Sequence, residues 1–267
     1  MFKTNNMKKT LAIALAFGVA SAFAQDLTSK KGEKILPEAG DWSIGFDALP
    51  MIGTVGNLMN ENTNVDVTGT GGATNYIMGK YFKDEKTAFR GMLGLNFGSV
   101  TVKSFEDQVG STSTPPAQVE NSVKTSGNSI TLGGGYEMRK GSTRLQGYYG
   151  GMAMITLGGS KVTNTYGNAI ASNNPVPSRT LTDKAGSTFG FNLNGFIGAE
   201  YFVLPKISIG AEYWWGLGFS RVGEGELTTE GWNGTGITTT TTKTAGASSF
   251  GIGGQYGSGQ MFVNLHF

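Results

Sequence analysis

The chain has 267 residues, with 21 Lys and Arg against 19 Asp and Glu, one His and no Cys. Lacking cysteine, it has no disulfide scaffold, thiolate metal site or thiol nucleophile, and 16 Phe, 9 Tyr and 4 Trp argue against disorder. Glycine, at 43 residues, runs at about twice ordinary usage, but it follows no G-X-Y period and Pro numbers only 7, which excludes collagen.

The first predicted element is an address. Lys8 and Lys9 precede the apolar run 11–20, which leads into Ser21-Ala22-Phe23-Ala24. A basic start, a short apolar run and an A-x-A site form a secretory signal peptide over 1–24, cleaved between Ala24 and Gln25. The run is too short to anchor the chain, because a bilayer core of about 30 Å takes about 20 helical residues. Its removal takes away three lysines and no acid, leaving 18 basic and 19 acidic residues. That balance gives a nucleic-acid partner no electrostatic support.

Beyond it, hydrophobicity alternates with a period of two, the signature of strands. Trp42, Ile44 and Phe46 oppose Ser43 and Asp47. Ile77, Gly79 and Tyr81 oppose Lys80; Phe89, Leu93, Leu95 and Phe97 oppose Arg90, Met92 and Asn96. Ile130, Leu132, Tyr136 and Met138 oppose Thr131 and Glu137, and Leu145, Tyr149, Ile155 and Leu157 oppose Arg144, Gln146 and Tyr148. Phe189, Phe191, Leu193, Ile197 and Tyr201 oppose Asn192, Asn194 and Glu200; Ile209, Tyr213, Trp215, Leu217 and Phe219 oppose Ser208, Glu212 and Trp214. A final strand near 260–267 carries Met261, Val263, Leu265 and Phe267 against Asn264 and His266. Gly257-Ser258-Gly259 marks a bulge or break before it, so 247–258 belongs either to the preceding loop or to the projecting part of that strand.

These eight strands predict an all-β, transmembrane, antiparallel up-and-down barrel over 41–267, preceded by a short periplasmic segment over 25–40. Two features place the apolar phase outside, against lipid. The polar phase is mostly Gly, Ser, Thr and Asn, which suits a narrow interior better than a solvated face. The mid-strand charges Asp47, Lys80, Arg90, Glu137, Arg144, Glu200 and Glu212 all fall on the polar phase, whereas a lipid-facing Arg or Lys costs about 2–4 kcal/mol at the midplane. They are expected to pair as an internal polar network. Tyr148, Trp214, Met92, Met152 and Met154 on the same phase predict a plugged interior. Rings near strand ends, among them Trp42, Tyr81, Phe82, Phe89, Tyr136, Tyr201 and Phe202, are expected in an interfacial girdle.

The connections alternate in length. Those near 83–86, 139–142 and 203–206 are short, while 51–72, 103–128, 158–186 and 221–258 are long and polar. Short periplasmic turns and long extracellular loops, with both termini periplasmic, match this pattern. Residues 226–229 and 236–243 are expected to pair as a hairpin around Trp232-Asn233-Gly234.

The terminal run Met261, Val263, Leu265 and Phe267 resembles the C-terminal signal read by the barrel-assembly machinery. Pro37-Glu38-Ala39-Gly40-Asp41-Trp42-Ser43-Ile44-Gly45 resembles the opening of small outer-membrane barrels of Bacteroidota, and 201–210 resembles the last periplasmic turn of the same group. The resemblance implies integral insertion in the outer membrane of a Gram-negative cell after export through the inner membrane. It implies lipid, lipopolysaccharide and the assembly machinery as partners, and it carries no set of functional residues.

Catalytic chemistry is missing from the pattern. The one histidine, His266, lies beside the C-terminus and none lies on a long loop, so no Ser-His or Asp-His pair can form there. No Walker motif or calcium-loop spacing occurs, and no enzyme activity, cofactor or metal is expected. Two readings remain: a structural barrel displaying loops to an outer-membrane protein partner or an extracellular ligand, and a small ion or solute pore through the lumen.

Overall fold

A computed structural model describes residues 27–29, 31–47, 76–253 and 260–267. The signal segment with its Ala24/Gln25 site, the 51–72 connection and the Gly257–Gly259 break lie outside these residues. No described helix is long and apolar enough to cross a membrane, which says nothing of strands.

The protein is all-β, a twelve-stranded antiparallel sheet among the described residues. The strands are β1 (Trp42–Asp47), β2 (Tyr76–Asp84), β3 (Thr87–Asp107), β4 (Gln118–Lys140), β5 (Leu145–Thr165), β6 (Arg179–Lys184), β7 (Thr188–Leu204), β8 (Ile207–Val222), β9 (Gly225–Trp232), β10 (Ile237–Thr244), β11 (Ala247–Gly253) and β12 (Gln260–His266). Pairing runs from β1 through β2, β3, β4, β5, β7, β8 and β12, and β12 pairs back to β1. The sheet therefore closes on itself. Beyond the closing strand, the main chain of Phe267 exchanges two hydrogen bonds with Trp42, at 3.1 and 2.8 Å.

The strand number differs from the expected eight for two reasons. The last predicted strand is divided: β11 pairs the upper part of β8 and β12 the lower part. Residues 247–253 thus continue the wall and are not loop. The long connections also contain strand. β3 and β4 pair without a register shift from Thr87↔Met138 to Asp107↔Gln118, leaving only 108–117 between them. β5 exchanges β7 for β6 above Gly158, and β6 continues to β9 and β10. Val and Thr keep these stretches extended, yet β3 is exposed on both faces from Leu95 upward. The apolar–polar contrast that marks a half-buried strand vanishes there. The β9–β10 hairpin forms as expected, turned by Asn233, whose side-chain oxygen accepts from the Thr235 and Gly236 amides, and by Gly234 at φ 98°.

Side chains sort inside out. On the outward phase Leu95 is 50% exposed, Phe97 66% and Ile197 64%. On the inward phase Met78, Met92, Tyr148, Met152, Met154, Phe196, Trp214 and Phe262 form one buried cluster. Inward glycines make room for it. Tyr148 lies in register with Gly198, Phe196 with Gly150 and Phe262 with Gly210. A Cβ on any of the three would come within 2.5 or 2.6 Å of the facing ring.

Candidate functional site

Below the apolar cluster, toward the short turns, lies a buried ionic network. The two-residue period aims Lys80 from β2, Arg90 from β3, Glu137 and Arg139 from β4, Glu200 from β7 and Glu212 from β8 into one space. Three cations meet three carboxylates, and all six side chains are at most 1% exposed. Lys80 and Arg90 face each other in register, a placement that repels unless something intervenes. Glu137 intervenes, at 3.1 Å from Lys80 and 3.6 Å from Arg90.

Two carboxylates and two cations form a ring. Lys80 lies 3.1 Å from Glu137 and 3.6 Å from Glu200, and Arg139 lies 2.8 Å from each of the same carboxylates. Glu212 stands beside the ring with a full complement of donors: both oxygens accept from the Arg90 guanidinium at 3.0 Å, Tyr148 Oη donates at 3.1 Å and Trp214 Nε1 at 2.9 Å. Rings cover the cations. The Arg90 guanidinium lies 4.1 Å from the Phe196 centroid, and Lys80 Nζ 4.8 Å from that of Tyr148. Such contacts recover part of the desolvation cost of burying charge.

On its turn-end side the network meets Ser208, Asn264 and His266. Ser208 Oγ and Asn264 Nδ2 donate to Glu200. His266 Nε2 lies 3.0 Å from Ser208 Oγ and 3.4 Å from Glu200. The carboxylate thus approaches Nε2, and Nδ1 has no hydrogen-bond partner among the described residues. A catalytic triad needs the carboxylate on the other nitrogen. Phe82 and Phe202 close this end, with ring centroids 5.7 and 5.1 Å from the imidazole.

Of the seven charges predicted for the interior, Lys80, Arg90, Glu137, Glu200 and Glu212 are brought together. Arg144 is not: it sits half-buried in the bend before β5. Asp47 is described in its backbone alone, in register with Phe262. Arg139 takes the place assigned to Arg144. Placing Arg139 in a turn ended the phase one step early, since β4 runs to Lys140 and Arg139 shares the parity of Glu137. Phe82 and Phe202 correct the girdle in the same way. Each has the parity of its neighbour Lys80 or Glu200, and both are fully buried. Trp42 and Tyr81 do face outward, with ring centroids 4.8 Å apart. In the terminal run Met261, Leu265 and Phe267 are exposed and Val263 is half-buried.

No protein-family model matches the chain, and no curated protein does. Among solved structures it is similar to the crystal structure of the outer membrane protein OprG from Pseudomonas aeruginosa, at 12% identity over 87% of this chain and 98% of that one, with a TM-score of 0.33.

Proposed function

We propose that the protein is an integral outer-membrane barrel of eight staves, a small barrel of the Bacteroidota type, with both termini periplasmic and its lumen sealed. One observation carries this reading: the closed sheet buries six charges inside while its outer face bears a belt of exposed Leu, Ile, Phe, Tyr and Trp. In water that arrangement wastes the hydrophobic effect, which is worth about 25 cal/mol per Å² of apolar surface removed from water. In a bilayer it is the favourable one, because lipid covers the belt and a closed sheet leaves no backbone group unpaired.

The role is structural and displaying rather than catalytic. The upper parts of β3–β5 with β6, β9 and β10 form a sheet above the belt, offered to an external ligand or another outer-membrane protein. Arg179 knits this sheet through Glu230, Tyr166 and the Asn168 carbonyl. Asn168 in turn binds Glu106 and the Val109 amide near the β3–β4 tip. A neutral ionic plug under Met92, Met152 and Met154 favours a closed lumen over a pore.

Single-channel recording on the refolded chain tests this. Protein shown to be folded by heat-shifted gel mobility is expected to leave a planar bilayer silent at both polarities. Steady ion-selective currents would contradict the sealed lumen and make Lys80, Arg90, Glu137, Glu200 and Glu212 the lining of a pore.

A further inference from the structure

We infer that the outer wall carries a binding groove for a phosphorylated lipid headgroup of the outer leaflet, built on Lys161 and Lys184. The inference rests on the membrane reading of the outward face. Along β5 the outward residues are Leu157, Gly159 and Lys161, at steps of roughly 6.7 Å. Leu157 belongs to the exposed apolar belt, Gly159 contributes no side chain, and Lys161 is exposed above it. A groove of about 650 Å³ follows this column, lined by Ile130 and Leu157 below and by Lys161 and Lys184 above. It lies where β5 changes neighbours, between the last β5–β7 pair, Gly158↔Thr188, and the first β5–β6 pair, Lys161↔Lys184.

The two lysines are direct cross-strand partners, a like-charge pairing that disfavours the sheet on its own. Glu226 is in register on the far side of Lys184, yet neither lysine forms an ion pair among the described residues. The contrast with the same outward phase is sharp: Lys103 pairs with Glu120 and Lys243 with Glu224, each at 2.9 Å. Lys124, two residues along from Ser126 and in register with Thr163, adds a third cation on this face. An apolar floor at the edge of the belt with unneutralised cations directly above it matches one amphiphile, whose acyl chain lies along Leu157 and Ile130 while its phosphate bridges Lys161 and Lys184. A phosphate recovers the repulsion through charge-assisted hydrogen bonds.

The test uses the mature chain refolded into phosphatidylcholine vesicles doped with phosphatidic acid or with diacylglycerol, and native mass spectrometry of the lipid retained. The intact protein is expected to retain phosphatidic acid over diacylglycerol. Lys161→Gln with Lys184→Gln is expected to weaken that retention roughly tenfold. Lys103→Gln with Lys243→Gln, which removes the same charge from lysines already paired, is expected to leave it unchanged. Equal retention in both double variants, or displacement by inorganic phosphate as effective as by phosphatidic acid, would overturn the lipid site. A chain that stays out of the vesicles would overturn the barrel reading instead, so the two failures are distinguishable.

Discussion

Glu137 is the residue on which the interior turns, because it holds apart Lys80 and Arg90 and also pairs with Arg139. Replacing it by Gln keeps the shape and leaves three buried cations facing two carboxylates. Breaking such a pair costs about 3–5 kcal/mol, so Glu137→Gln is expected to lower stability by that order in urea unfolding from vesicles. Lys103→Gln, which breaks an exposed pair, is expected to change it by about 0–1 kcal/mol. Equal effects would mean that the interior charges are solvated. Outside the proposed membrane span, Asp84 shows the opposite regime. The Thr87 hydroxyl at 2.6 Å and the Lys86 amide at 2.8 Å donate to its carboxylate and hold it below the ordinary carboxyl range. A folded-state value below the unfolded one stabilises above the unfolded pKa of about 4 and loses that contribution as pH falls through the folded value. Carbon-detected NMR titration is expected to find Asp84 titrating below an ordinary Asp, and Asp84→Asn is expected to flatten that part of the acid limb.

The strands show why so much glycine is needed. Tyr148, Phe196 and Phe262 each lie over an inward glycine of the neighbouring strand, so the interior holds rings that a wall of larger residues would exclude. At Gly198 an added Cβ would lie 2.5 Å from the Tyr148 ring and 2.6 Å from the Ala211 carbonyl oxygen. Gly198→Ala is expected to cost about 1–3 kcal/mol by overpacking. Gly91→Ala, on the outward phase with nothing within 4 Å, is expected to stay within about 0.5 kcal/mol. Refolding yield and urea midpoints of the two variants check this, and equal losses would contradict it. Alternation made these elements readable wherever one face is apolar and the other polar, which is why five interior charges could be named from parity. It failed where that contrast ends. Above Leu95 both faces of β3 are exposed, so strand and polar loop look alike in composition. At the turns the last inward residue, Arg139 or Phe82, is easily assigned to the connection or to the girdle. The exchange of β7 for β6 along β5 depends on which of two successive segments pairs where, and on β6 pairing in turn with β9, which no local pattern encodes.

At the scale of the whole molecule, closure and inversion belong together. A sheet that returns to its first strand has no free edge along that circuit, and its two faces can then carry opposite chemistry: a neutral cluster of paired charges within and, among the described residues, exposed apolar side chains without. The measurement that tests this most directly is nitroxide accessibility along one strand of β5, since a chain with no native cysteine accepts single cysteines cleanly. Spin labels at Met152, Ala153, Met154, Ile155, Thr156 and Leu157 in lipid vesicles are read for access to oxygen and to a water-soluble nickel chelate. Labels at Ala153, Ile155 and Leu157 are expected to meet oxygen from the lipid, while those at Met152, Met154 and Thr156 are expected to meet neither reagent. A uniform profile, or nickel access at the outward positions, would contradict a lipid-facing apolar belt around a sealed interior.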